Sequence, residues 1–192
     1  LAIGGTGDTD ITSIISTTSG SLTKDDTGTL TLSGANTFTG GLTIHAGTVT
    51  GSTSASAFGN SGSGAITLGD TSGSANATLL VSTTGLNYAN PVTLATGTSG
   101  TLTMGNTGTA ISTTFSGGVT GTNNLTINSN ATSGTIIFST ADINNTGTVT
   151  NIGAGSGTTT VNSNIGSNVT TLTENSSTAA LSITGTATVS AI

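Results

Sequence analysis

Residues 28 to 49 read Gly-Thr-Leu-Thr-Leu-Ser-Gly-Ala-Asn-Thr-Phe-Thr-Gly-Gly-Leu-Thr-Ile-His-Ala-Gly-Thr-Val, and the alternation within them decides the fold class. Leu30 and Leu32, and again Leu42 and Ile44, are separated by a single threonine. A period of two puts each aliphatic pair on one face of an extended chain and the threonine on the other. Between the pairs stand Ser33-Gly34-Ala35-Asn36 and Gly40-Gly41, residues that enter turns at little steric cost. The stretch therefore reads as a strand over Thr29 to Leu32, a tight turn, an aromatic at Phe38, a glycine corner, and a second strand over Leu42 to Ile44 that leads through Ala46-Gly47 to Val49.

The same unit recurs outward from this stretch. Ile66/Leu68, Leu79/Val81, Val92/Leu94, Leu102/Met104, Leu125/Ile127, Ile136/Phe138 and Leu181/Ile183 repeat the pattern, roughly 10 to 13 residues apart where the series is regular. No window carries apolar residues at helical spacing, and Glu, Lys, Gln and Arg are nearly absent. The expectation is an all-β chain with no helix.

Composition narrows the function mainly by exclusion. The chain has 192 residues, 30 of them Gly, with 7 acidic side chains, 1 basic, 1 His, 1 Pro, no Cys and no Trp. Threonine, a β-branched strand former, makes up about a quarter of it. Such a charge-poor chain does not repel itself into disorder. With a formal net charge of −6 and Lys24 as its only cation, it offers no basic patch for phosphates, so nucleic acid and anionic membranes are excluded as partners. No apolar run reaches the roughly 18 residues of a membrane-spanning helix, so no membrane insertion by this segment is expected. The absence of Cys removes disulfides and thiolate sites. Leu1 is not an initiator methionine, which suggests a mature product or an excised segment.

Many short strands at regular spacing fit a sandwich, a barrel or a solenoid. A sandwich core recruits large aromatics, whereas this chain has only Phe38, Phe58, Phe115, Phe138 and Tyr88. A narrow tube lined by Leu, Ile and Val suits two or three inward side chains per strand. In a parallel β-helix like residues stack on like residues one coil further on, and Thr, Ser and Asn form the outer coat. At about 20 residues per coil the whole chain, 1–192, makes one β-solenoid segment of roughly nine short coils and about 40 to 45 Å.

The segment from Gly28 to Val49 resembles the autotransporter-associated β-strand repeat, also called the passenger-associated transport repeat, of bacterial surface proteins. Ser63 to Leu68 and Asn90 to Leu94 look like continuations of it, and beyond residue 100 only the general style is shared. The resemblance implies a right-handed parallel β-helix in the exported part of a large bacterial surface or secreted protein. No outer-membrane barrel is visible, so transport by this chain itself is not implied.

Candidate sites are few. Gly4-Gly5-Thr6-Gly7-Asp8-Thr9-Asp10-Ile11 is similar to a calcium-binding nonapeptide, with the aspartate one place late, which makes Asp8 and Asp10 calcium candidates. Asp25-Asp26 beside Lys24 is the densest ionisable cluster and reads as a solvated loop. His45, alternating with Ile44, reads as an ordinary surface imidazole. Gly59-Asn60-Ser61-Gly62-Ser63 is similar to the surroundings of a serine-protease nucleophile, but a serine needs a base and His45 is the only one offered. Tyr88, with Asn87, Asn90 and Pro91, is a candidate stacking spot for a glycan, or else a loop anchor. Asn76, Asn124, Asn130, Asn168 and Asn175 begin N-x-[ST] triplets, which chance explains in so Asn- and Thr-rich a chain.

Three functions compete. The first is an extracellular structural stalk or fibre segment. It would be part of a longer protein or would stack end to end with itself, because neither Leu1 to Ile3 nor Thr186 to Ile192 carries the charges or proline that blunt a sheet edge. The second is an adhesin that recognises glycans or a host surface. The third, a polysaccharide-active enzyme, lacks the charged residues such chemistry needs, so the chain is read as no enzyme, without cofactor or resident metal.

Overall fold

Leu22, Thr23 and Lys24 lie beside Leu42, Thr43 and Ile44, which lie beside Ile66, Thr67 and Leu68, all in parallel and in register. That relation, repeated along the chain, is the fold. The computed structural model describes residues 1 to 190. The first coil holds β1 (Ala2–Ile3) and β2 (Thr9–Ile11), the second β3 (Leu22–Lys24) and β4 (Thr29–Leu32), the third β5 (Leu42–Ile44) and β6 (Gly47–Gly51). The next three add a third strand each: β7 (Ile66–Leu68), β8 (Ala77–Val81) and β9 (Asn87–Tyr88); β10 (Val92–Leu94), β11 (Leu102–Asn106) and β12 (Thr113–Phe115); β13 (Val119–Gly121), β14 (Leu125–Ser129) and β15 (Thr135–Phe138). In the seventh coil a single bridge at Ile143 precedes β16 (Gly147–Asn151) and β17 (Thr158–Val161), and in the eighth a bridge at Ile165 precedes β18 (Val169–Glu174) and β19 (Leu181–Ile183). Ala187, bridged to Ile165, opens a further turn.

Three parallel sheets form the walls, in the orders β1-β3-β5-β7-β10-β13, β2-β4-β6-β8-β11-β14-β16-β18 and β9-β12-β15-β17-β19. The molecule is thus an all-β parallel solenoid, and no helix occurs among the described residues. The expected nine coils become eight with the start of another. Register partners lie 20 residues apart at Leu22 and Leu42 but 27 apart at Val92 and Val119. The extra residues sit mostly in the loops 69–76 and 95–101 between the first and second sheets. Of the C-terminal stretch expected to be strand-like, Ala191 and Ile192 lie outside the described residues.

The inside is built by the period-two pattern. Leu22, Leu42, Ile66, Val92, Val119, Ile143 and Ile165 form one column, each at most 2% exposed. Each such side chain contributes about 1.5 to 3 kcal/mol on leaving water. Along the third sheet the rings of Phe58, Tyr88, Phe115 and Phe138 stack with centroids 5.0, 6.0 and 5.6 Å apart. Contacts at these distances add about 0.5 to 1.5 kcal/mol apiece. Four of the five aromatics are therefore gathered into a single spine, with Phe38 buried apart from it.

Several of the polar groups that enter the interior sew coils together. Asn106 is fully buried; its Nδ2 donates to Ile111 O at 2.9 Å and its Oδ1 accepts from the backbone N–H groups of Asn130 and Ala131 at 3.0 and 3.1 Å. Buried amides are tolerated when satisfied in this way. The corner at Gly41 shows why glycine is required there: φ is +90°, and a Cβ would stand 2.6 Å from Ala65 O of the next coil.

The inside and outside assignment has a direct check. Ile127 is fully buried and the side chain of Thr126 points outward. Ile127→Asp should cost at least about 3 kcal/mol or prevent folding, since it loses aliphatic burial and desolvates a charge. Thr126→Ser should stay within about 0.5 kcal/mol, both read from denaturant midpoints.

Candidate functional surface

Of the ionisable residues expected to form a solvated loop, Asp25 and Asp26 do lie in a partly exposed one between β3 and β4, whereas Lys24 is buried beneath it, and together they make a corner over the first three coils. Lys24 continues the apolar-x-apolar pattern of β3, so its side chain points inward, between Ile3 and Ile44 in register. It is only 2% exposed. Its Nζ donates to the backbone oxygens of Asp25 and Asp26, the latter at 2.7 Å. Burial pushes its ammonium below the ordinary lysine range, while Asp26, Asp25 and Asp8 pull in the opposite direction. Above it Asp26 accepts from Gly5 N–H at 2.9 Å and Asp8 from Thr29 N–H at 2.9 Å, so two carboxylates staple the first coil to the second. His45 is not a lone imidazole: its Nδ1 lies 2.7 Å from Asp25 Oδ1, joining the third coil to the second.

The other candidates take different places. Asp8 spends one carboxylate oxygen on Thr29, and Asp10 stands exposed on β2. Among the described residues no group of three or more His, Cys, Asp or Glu side chains gathers to hold a metal ion. Tyr88 is 1% exposed and belongs to the aromatic spine, so neither face of its ring is open to a sugar. Its pattern Asn87-Tyr88 is strand β9, in register with Thr114-Phe115, and not a loop. Asn87 is exposed, while Asn90 is buried and donates through Nδ2 to Gly64 O at 2.9 Å and Asn60 O at 3.3 Å. Ser61 lies in an exposed turn, and the hydrogen bond of His45 goes to Asp25 rather than to it.

The organised surface lies elsewhere, on the second sheet. Thr29, Thr48, Thr78, Thr103, Thr126, Thr150 and Thr173 are consecutive register partners, forming an unbroken outer row over seven coils. A second row, Thr23, Thr43, Thr67, Thr93 and Thr120, runs up the first sheet. Beside the longer row the loops 69–76 and 95–101 stack on each other: Thr98 Oγ1 donates to Asp70 O at 2.6 Å and Ser99 N–H to Gly73 O at 2.9 Å. These loops and the row enclose two shallow cavities, one of about 360 Å³ including Thr101, Asn124, Thr126 and Thr150, the other of about 280 Å³ including Thr48, Asn76 and Thr78. The row was legible as the threonines between aliphatic pairs; the walls were not, because loop stacking leaves no periodic trace.

Residues 22–50 match the family model of the Passenger-associated-transport-repeat, which spans β3 to all but the last residue of β6. The match takes in the whole stretch that carried the sequence resemblance, Gly28 to Val49, and a passenger-associated repeat implies a secreted or cell-surface protein. No curated protein matches the chain. No solved structure matches it either.

Two buried titratable groups yield measurable consequences. Lys24, the only lysine, should resist acylation by an activated ester at neutral pH in the folded protein and react once the chain is unfolded, as read by peptide mass spectrometry. Burial pushes the Tyr88 hydroxyl up from 10.0 to about 12. The folded state therefore keeps this proton after the unfolded chain has lost it. Stability is complete below pH 10 and declines between there and about 12, by up to about 1.4 kcal/mol per pH unit. Because that hydroxyl has no hydrogen-bond partner, Tyr88→Phe should hold or raise the neutral-pH midpoint and flatten the alkaline decline in pH-dependent melts.

Proposed function

We propose that this segment is a stiff extracellular spacer, a β-helical stalk or fibre segment of a bacterial surface protein, whose function is its shape. The observation that carries this reading is the continuous register of one aliphatic column through seven coils, with a match to the passenger-associated-transport repeat over the second and third of the eight. Every coil rests on the last through backbone hydrogen bonds and apolar contact, so resistance to bending is distributed along the length. The outer coat of hydroxyls and amides stays soluble without charge and is insensitive to salt.

End-to-end stacking belongs to the same proposal. Leu1 and Ile14 are 58% and 57% exposed on the first coil, and Leu181 and Ile183 of the eighth are only partly covered. A coil laid on either face would extend the sheets and bury these side chains, whether it came from the same chain or from a second copy. An adhesive role, with a glycan or host surface as target, is the second reading, favoured by the threonine-lined cavities of the second sheet.

Small-angle scattering with sedimentation tests the spacer. A rod of about 40 Å is expected, lengthening in steps of similar size as concentration rises. A spherical particle would overturn the stalk, and a rod whose length is independent of concentration would overturn the stacking.

A further inference from the structure

The two cavities on the second sheet lie on one line. Members of the threonine row line both, and coils are about 4.8 Å apart, so one cavity covers the second to fourth coils and the other the fifth to seventh, two successive parts of a trough along the rod axis. Two places before each row member comes another small polar residue in most coils, among them Thr27, Asn76, Thr101, Asn124 and Thr148. We propose that this trough binds a neutral, linear, hydroxyl-rich polysaccharide lying parallel to the axis. The inference rests on the adhesive reading above and moves its site from Tyr88 to the second sheet.

Three features of the trough select that ligand class. First, its polar groups are free. Among the described residues, the hydroxyls of Thr101, Thr126, Thr148 and Thr150 make no hydrogen bond to protein, unlike loop hydroxyls such as Thr53, Thr98 and Ser156, which are spent on backbone carbonyls. The amide oxygens of Asn76 and Asn124 are taken by the N–H groups of Thr101 and Thr148, at 2.8 and 2.9 Å, which leaves each Nδ2 as an oriented donor. Second, the lining carries no ionisable side chain, so charged polymers gain nothing there. Third, no aromatic lines either cavity, and the aliphatic side chains there are only Leu102 in the larger and Ala75 in the smaller, which is too little for a protein interface core or a compact drug-like ligand. What remains is a ligand that trades water for many modest hydrogen bonds repeated at the spacing of the coils.

The walls are held before any ligand arrives. Asn123 Nδ2 donates to Ala95 O at 2.9 Å and Thr98 O at 2.7 Å, pinning the loop 95–101 to the sixth coil. A preorganised row loses little entropy per contact, and repeated weak contacts on one chain add through high local concentration.

The test is a titration of the isotopically labelled protein with neutral β-1,4-linked gluco- and manno-hexaoses, with oligogalacturonate as the acidic control, followed by backbone NMR. Chemical shifts should move at Thr101, Asn124, Thr126, Thr148 and Thr150 with one of the neutral oligomers and not with the acidic one. The double variant Thr126→Val and Thr150→Val keeps shape and strand preference while removing two hydroxyls, and should bind at least about tenfold more weakly. Thr43→Val with Thr67→Val, on the other row, should bind as the parent does, and the folded spectrum of each variant reports its integrity. Absence of any shift at millimolar neutral oligomer, equal weakening by both double variants, or equal response to the acidic oligomer would overturn the trough. None of these outcomes bears on whether the molecule is a rod, which scattering decides separately.

Discussion

In-register stacking of short parallel strands is the constraint on which the rest of the molecule depends. A coil of two or three strands cannot bury its own aliphatic side chains; it does so only when the next coil presents the same side chains at the same height. Leu22, Leu42 and Ile66 are covered on both sides because each lies directly over the one before. The same registration aligns the outward threonines into rows without further cost. Core and coat are two faces of one repeat, so the surface inherits its order from the interior.

The scarcity of charge follows from that geometry. In a parallel stack identical positions face each other at about 4.8 Å, and a charged residue repeated along a row would meet its own kind at every step. Threonine and asparagine repeat without that repulsion. Apart from Asp10 and Glu174, which stand on β2 and β18, the ionisable side chains appear in loops between strands or where opposite types meet. The corner of Lys24, Asp25, Asp26, Asp8 and His45 is such a place, with carboxylates capping backbone N–H groups of neighbouring coils and an ammonium held by backbone oxygens beneath them. It fastens the first three coils at the point where a lysine replaces an aliphatic residue in the neighbouring inward row of Ile3, Ile44 and Leu68.

Much of the fold was legible because its signal is local. The strands over Thr29–Leu32 and Leu42–Ile44 were readable from period-two alternation, as was the inward placing of Leu102, Met104, Leu125 and Ile127. Where the alternation is carried by other residues the reading fell short. Lys24 fills an aliphatic position with its four-carbon stem, and β17 reads Thr158-Thr159-Thr160-Val161, with buried Thr159 donating to Asn151 Oδ1 at 2.8 Å. Tyr88 escapes the local signal for a related reason. Its neighbours Asn87, Asn90 and Pro91 read as a loop, whereas its place is set by Phe58 and Phe115, roughly 30 residues away on either side. The trough was legible by half, since its floor repeats and its walls do not.

Distances along the long threonine row test the stacking most directly. Spin labels attached to cysteine in place of Thr29 and, in turn, Thr103, Thr126, Thr150 and Thr173 should report separations of about 14, 19, 24 and 29 Å, each partner about 4.8 Å beyond the last. A series that rises evenly with coil number establishes the parallel spiral. Separations that plateau or change order, as two antiparallel layers packed face to face would give, contradict it.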